Sequence, residues 1–346
     1  MLNTASNAVV AKAKAMYGNR LKEADYQILL SKKTISEIAT YLKTQTHLSE
    51  CLKDINDSQI HRGRLEMLIR QDLYVRFSKL IRYADSDDEK GFYRYGILGA
   101  EIEQILLCAR MIKNRDNVQM IAKLPMFFAK HIVFDLNKLA NVKTLQDLLD
   151  TLQKTPYYDI VFPYISTSID EFDYTKLETA LRTYYYKEVL EIVKNNHKIK
   201  DPQAINQIFK TRIELENLTK IYRMKKYFNA DAEQIKQLIT PTYLKIAEKD
   251  IMKMIDELDA QGFLIALGKT AYGKYINPSN FRFMEYHTKI ITYHMYHRNM
   301  EFALDPDLVL LCYMSLSETE IQNIVDIIEG VRYRVPVDRI NGLLIM

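Results

Sequence analysis

One pentapeptide pattern occurs three times in this 346-residue chain, about a domain-length apart. It reads Glu101-Ile102-Glu103-Gln104-Ile105, then Glu214-Leu215-Glu216-Asn217-Leu218, then Glu320-Ile321-Gln322-Asn323-Ile324, at spacings of 113 and 106 residues. Arg110-Met111 in the first copy lines up with Arg223-Met224 in the second. Two further marks recur in the same register. An Asp stands 13 residues before each Glu, as Asp88, Asp201 and Asp307. An apolar run at helical spacing begins 66 to 69 residues before each Glu: Ile35, Ile38 and Leu42; Leu145, Leu148 and Leu152; Ile251, Met254 and Leu258. The period is far longer than the ~20–50 residues of a solenoid repeat and has the size of a small domain. The expected organisation is three related units, 1–119, 120–229 and 230–346, around a shared axis. Such a plan favours a binding or structural protein over a single-pocket enzyme.

Composition points to helices. Gly (10) and Pro (8) are scarce and nearly half the chain is apolar, 48%, which disfavours both bulk disorder and a turn-rich all-β fold. The 24 Tyr residues suit surfaces that are apolar on one side and wet on the other. A net charge of +4, from 48 basic and 44 acidic residues, is too mild for a nucleic-acid partner. Three dispersed cysteines, Cys51, Cys108 and Cys312, fit a reducing compartment better than a disulfide framework. Asn3, Lys12 and Lys14 interrupt any apolar leader core, and the longest apolar runs fall well short of the roughly 20 residues of a membrane span. The expectation is a cytoplasmic protein, peripheral to any membrane it serves.

The pattern predicts helices over 60–83, 91–113, 174–194 and 283–302. Asp201-Pro202 and Asp305-Pro306 are helix starts with Pro in the first turn, and Gly262, Gly268 and Gly273 allow a small hairpin within 263–276. In each repeat helix one apolar face is expected to pack inward: Ile102, Ile105 and Ala109; Leu215, Leu218 and Tyr222; Ile321, Ile324 and Ile328. The repeated Glu and Gln/Asn lie three apart on one flank. That flank reads either as a polar boundary or as a surface that meets a neighbouring unit or a partner. Basic residues close the repeat helices: Arg110 and Lys113; Arg223, Lys225 and Lys226; Arg332, Tyr333 and Arg334. The helix dipole favours cations there; the functional alternative is an acidic partner helix.

Catalytic patterns are weak. Gly268-Lys269-Thr270 resembles the end of a phosphate-binding loop, but the required earlier Gly is Phe263, with Gly262 one position out of place, and no strand precedes it. His294, His297 and Glu301 could approach one metal from a single helix, with His287 nearby, although zinc helices usually carry His at i and i+4. They support an alternative reading as an all-helical metal-dependent enzyme. A general helical adaptor is a third.

Several segments together resemble the V-type ATPase component that is called C in bacterial and archaeal complexes and d in eukaryotic ones. They are Asn19-Arg20-Leu21, Asp25-Tyr26, Leu29-Leu30, Ile35 to Ile38, Leu42 and Thr46; then Glu214 to Leu218 with Arg223 and Lys225; then Tyr313, Glu318 to Asn323 and Glu329-Gly330-Val331-Arg332-Tyr333. Gln104 and Glu329 depart from the other copies, which carry Asn and Arg. The resemblance implies an all-α, pseudo-threefold funnel of three helical-bundle units around a central cavity. It implies a non-catalytic subunit without cofactor, coupling the central shaft subunits to the membrane proteolipid ring during proton or sodium transport. Partner contacts are then expected at Arg110, Lys113, Asn217, Arg223, Lys225, Lys226, Asn323, Arg332, Tyr333 and Arg334.

Overall fold

Helix starts are written into the chain as short polar side chains that accept an orphan N–H of the first turn. Thr34, Thr144, Asp173, Asp201, Asp231, Asp259 and Asp305 each accept such a bond. The computed structural model describes residues 2–56, 60–82, 91–114, 126–165, 169, 171–276 and 278–346. Its α-helices are, in order, α1 (Leu2–Gly18), α2 (Glu23–Leu30), α3 (Ile35–Gln45), α4 (Ser49–Leu52), α5 (Arg62–Ile81), α6 (Arg94–Asn114), α7 (Met126–His131), α8 (Leu136–Ala140), α9 (Leu145–Leu152), α10 (Tyr158–Val161), α11 (Tyr174–Asn195), α12 (Pro202–Tyr227), α13 (Ala232–Lys236), α14 (Glu248–Glu257), α15 (Ala260–Gly268), α16 (Met284–Phe302), α17 (Pro306–Arg332) and α18 (Val337–Asn341). The described residues contain no strand, so the all-helical expectation is met.

Two compact units emerge from the chain contacts. The first gathers residues 1–89, 123–128 and 293–346, and the second 90–122 and 129–292. In the first, the inner face of α17 (Ile321, Ile324, Ile328) joins Leu29, Ile38, Leu42, Leu65 and Ile69 in one core. In the second, Leu215, Leu218 and Tyr222 of α12 pack with Ile251, Phe263, Leu267 and Tyr272, and α6 packs along α11. The three predicted inward faces are buried throughout, Tyr222 at 6% exposure being the most open. Each such Leu or Ile contributes roughly 1.5–3 kcal/mol by leaving water.

Several local expectations change. Asp201 and Asp305 cap α12 and α17 as their Asp-Pro pairs predict, whereas Asp307, the recurring mark 13 residues before Glu320, lies inside the first turn of α17 and does not cap it. Asp88 is outside the described residues. The stretch 263–276 is no hairpin: α15 occupies its first half and hydrogen-bonded turns its second. A Cβ on Gly273 would collide with the Gly268 carbonyl, so that glycine serves close backbone approach.

Candidate partner interface

The repeated Glu is no boundary residue. Glu101, Glu214 and Glu320 are 4%, 1% and 7% exposed, and each grips a segment distant in sequence. Glu101 accepts the Val133 N–H at 2.8 Å and the Tyr157 hydroxyl at 2.6 Å. Glu214 accepts the N–H groups of Leu244, Lys245 and Ile246 at 2.8, 3.0 and 3.1 Å, and the Tyr272 hydroxyl. Glu320 accepts the Leu21 N–H at 2.6 Å, with Arg76 Nη1 at 3.4 Å and His47 Nε2 at 3.3 Å. A buried carboxylate is tolerated only with such partners.

The gripped segments follow one plan. A clamped N–H leads into a first helix (α2, α8 or α14) and then a second (α3, α9 or α15). A Thr then ends the second helix: the Oγ1 of Thr46, Thr155 and Thr270 donates to the Leu42, Leu152 and Leu267 carbonyls. The same oxygens accept the N–H of Leu48, Tyr157 and Tyr272. This register corrects the third apolar mark. Ile251, Met254 and Leu258 belong to α14 and its end, the counterpart of α2 and α8; the true match to α3 and α9 is α15, with Phe263, Leu264 and Leu267.

The Asn forms a second clamp. Asn217 donates to the Thr240 carbonyl at 2.6 Å and accepts its N–H at 2.9 Å. Asn323 does the same to Ile345 at 2.8 and 3.0 Å. Both are buried, at 4% and 2% exposure. The expectation that Asn217 and Asn323 contact a partner is therefore corrected: both ends of each amide already serve this chain. Gln104 is buried too, and its Oε1 has no partner among the described residues.

The first and third copies of this position sit in opposite electrostatic settings. Burial raises the Glu101 carboxyl above the usual carboxylate range, and its two hydrogen bonds only partly offset this. Burial acts likewise on Glu320, but the His47 and Arg76 side chains and the Leu21 N–H outweigh it and hold Glu320 low. Tyr157 and Tyr272 are pushed far above the ordinary phenol value by burial and the adjacent carboxylate. The abundance of Tyr thus has an internal use that its preference for half-wet surfaces concealed.

The basic helix ends divide into internal and outward groups. Lys225 is internal: its Nζ donates to the Ile255 and Leu258 carbonyls, both at 2.6 Å, closing the end of α14. Burial correspondingly lowers it. Lys113 is exposed, and its Nζ donates to the Phe172 carbonyl at 2.9 Å. Arg110, Arg223, Lys226, Arg332 and Arg334 are exposed, with Arg223 facing Glu285 at 3.4 Å. Lys113, Lys226 and Arg332 share one register, 12 residues past the repeated Glu. The next position holds Tyr227 and Tyr333, each 65% exposed, and Phe228 follows Tyr227 at 63%. Tyr227 and Phe228 were missed in the sequence; their match to Tyr333 was the available signal. Glu329, where the other copies have Arg, pairs with Arg62.

The enzyme-like motifs resolve into structure. His287 donates from Nδ1 to the Tyr275 carbonyl at 2.7 Å and accepts the Arg282 N–H at Nε2, a neutral loop staple. His297 lies 3.7 Å from Glu301 and packs on the Tyr17 and Tyr293 rings. No group of three or more His, Cys, Asp or Glu among the described residues is placed to hold a metal, so the triad His294, His297 and Glu301 is not assembled. Gly268-Lys269-Thr270 sits at a helix C-terminus, the wrong end for phosphate.

No helix among the described residues is long and apolar enough to cross a membrane. The chain is 23% identical over 282 residues to the C subunit of the A-type ATP synthase of Methanococcoides burtonii, covering 76% of this chain and 71% of that one. It is 23% identical over 331 residues to the protein of the same name from Methanosphaera stadtmanae, covering 91% and 80%. A model of the ATP synthase (C/AC39) subunit family matches residues 9–343. With nearly the whole chain inside that match, this protein belongs to the ATP synthase (C/AC39) subunit family.

Proposed function

We propose that this chain is a non-catalytic rotor subunit of a rotary ATPase, a socket that couples the central shaft to the membrane proteolipid ring. The family match over 9–343 carries this reading. The clamps support it, because a torque-bearing part needs elements tied to one another by more than side-chain packing. Three related units, 1–119, 120–229 and 230–346, form a funnel whose cavity receives the shaft tip, and the subunit sits peripherally on the cytoplasmic face. The exposed cation-and-tyrosine ends of α12 and α17 contribute the shaft contacts: Arg223, Lys226 and Tyr227 on one, Arg332, Tyr333 and Arg334 on the other. Arg110 and Lys113 occupy the same place on α6. An aromatic beside a cation suits an acidic helical partner, where Tyr supplies contact area and the cation steers approach.

Co-purification with the shaft subunits and the detergent-extracted ring tests the reading. The paired change Lys226→Glu and Arg332→Glu is expected to weaken shaft binding about tenfold or more, 1.4 kcal/mol, with the helical content intact. Wild-type protein that captures neither shaft nor ring would sink the proposal; unchanged affinity in the variant would remove the basic ends from it.

A further inference from the structure

Glu320 is gripped by a different chemistry from its two counterparts. In the second compact unit a Tyr hydroxyl, two residues past the helix-ending Thr, completes each Glu clamp. In the first unit that position is Leu48, fully buried and without a polar side-chain atom. His47, one residue earlier, reaches Glu320 instead, together with Arg76. An imidazole changes charge between about pH 5 and 8, whereas a phenol does not.

The distances permit two arrangements. Arg76 Nη2 lies 2.7 Å from His47 Nε2. A guanidinium can only donate, so Nε2 accepts and the ring is neutral, which leaves its buried Nδ1 without a hydrogen-bond partner among the described residues. Glu320 Oε2 lies 3.3 Å from the same Nε2. When Nε2 takes up a proton it donates to Glu320, and Arg76 must withdraw. It has somewhere to go: Asp72 already accepts from its Nε at 2.5 Å. Arg76 and Glu320 also line a cavity of about 180 Å³ that Tyr17, Tyr26 and Tyr293 share. His47 faces Arg76 on α5 and Glu320 on α17; these two are in turn met by Asp72 on α5, Tyr313 on α17 and Tyr26 on α2, and Cys51 on α4 faces Asp72 and Arg76. With Asp72, Arg76 and Glu320 ionised and the ring neutral, this group carries one net negative charge, and the added proton neutralises it.

We infer that His47 is a proton-controlled latch: its protonation tightens the grip of Glu320 on the segment from Leu21 to Leu52, and its deprotonation hands the imidazole to Arg76 and loosens that segment. The phenol-closed segments at 133–161 and 244–276 lack this control.

Hydrogen exchange of the full chain, corrected for the intrinsic pH effect, tests this between pH 6 and 8. Opening of Leu21–Leu52 is expected to be about fivefold less frequent at the lower pH, at the low end of measured coupling between sites. His47→Gln should abolish that dependence and leave exchange in 244–276 unchanged. Equal opening at both pH values in the wild type, or an undiminished dependence in the variant, overturns the latch. If His47→Gln does not fold, ring NMR of the wild type decides: the His47 titration and the change in Leu21 exchange must share a midpoint, and separate midpoints refute it.

Discussion

A Gln in place of Glu101 or of Glu320 separates the two settings. Glu101 has a raised carboxyl, so its contribution is present below the unfolded value and lost as pH rises through the folded one. At neutral pH its charge is a burden that Gln relieves while still accepting from Val133. Glu101→Gln is expected to change stability by less than about 1 kcal/mol. Glu320 has a lowered carboxyl, so its contribution is present above the unfolded value of about 4.3 and lost as pH falls through the folded one. Glu320→Gln removes one of the two carboxylates paired with the buried Arg76, Asp72 being the other, which costs about 3 kcal/mol, as for breaking other buried pairs. Urea unfolding at pH 7 should rank the variants in this order, and part of the acid limb of wild-type stability should vanish in Glu320→Gln. Equal losses would mean that the carboxylates serve as polar shape alone.

At the scale of elements, α17 and α18 meet where only a glycine fits. A Cβ on Gly330 would fall inside the contact radius of Ile340, which is 2% exposed and part of the first unit's core. Ala gains about 1 kcal/mol of helix propensity over Gly, but overpacking a closed core costs typically ~1–3 kcal/mol. Gly330→Ala is therefore expected to lower stability on balance, and adding Ile340→Val, which removes the crowding Cδ1, should recover part of it. A stabilised single variant would refute the close fit. The start of α17 offers a second measure. Asp305 caps it and is 6% exposed, so Asp305→Ala should cost about 1 kcal/mol of stability in thermal or urea melts.

Helix caps also explain what the sequence made legible. The inward faces of α6, α12 and α17 were readable because 3.6-residue periodicity is a local signal. The role of the repeated Glu and Asn was not, because a polar residue on the flank of an amphipathic helix looks the same whether water or a distant N–H satisfies it. Their partners lie far away in the chain: Val133 from Glu101, Leu244 from Glu214, Leu21 from Glu320. The third apolar mark slipped by one helix because α14 and α15 both present apolar residues. The pair of capping residues around the second helix, Thr34 and Thr46, Thr144 and Thr155, Asp259 and Thr270, was the better guide. Those residues act on backbone geometry, which apolar spacing does not encode.

At the scale of the molecule, the three clamps differ in how the chain closes them. Glu101 and Glu214 grip segments that follow their own helices, about 30 residues on. Glu320 grips Leu21, 299 residues earlier in the sequence, and three residues along the same helix Asn323 holds Ile345. The third repeat helix thus takes the start of the chain as its gripped segment. The second compact unit is nearly continuous, 90–122 and 129–292, whereas the first assembles 1–89 with 293–346. Loop closure over so long a separation must be met before those contacts reward it. A fragment spanning 91–292 is accordingly expected to give cooperative, helical unfolding by itself. A fragment ending at residue 89 should remain largely unfolded, because Leu29, Ile38, Leu42 and Leu65 share their core with Ile321, Ile324 and Ile328. Mixing it with a 293–346 fragment should restore helical signal beyond the sum of the parts, and Glu320→Gln in the added fragment should weaken that gain. Circular dichroism of the separate and mixed fragments decides the matter: a 1–89 fragment that folds alone would show that its helices do not depend on α17 and that the clamp merely docks a finished part.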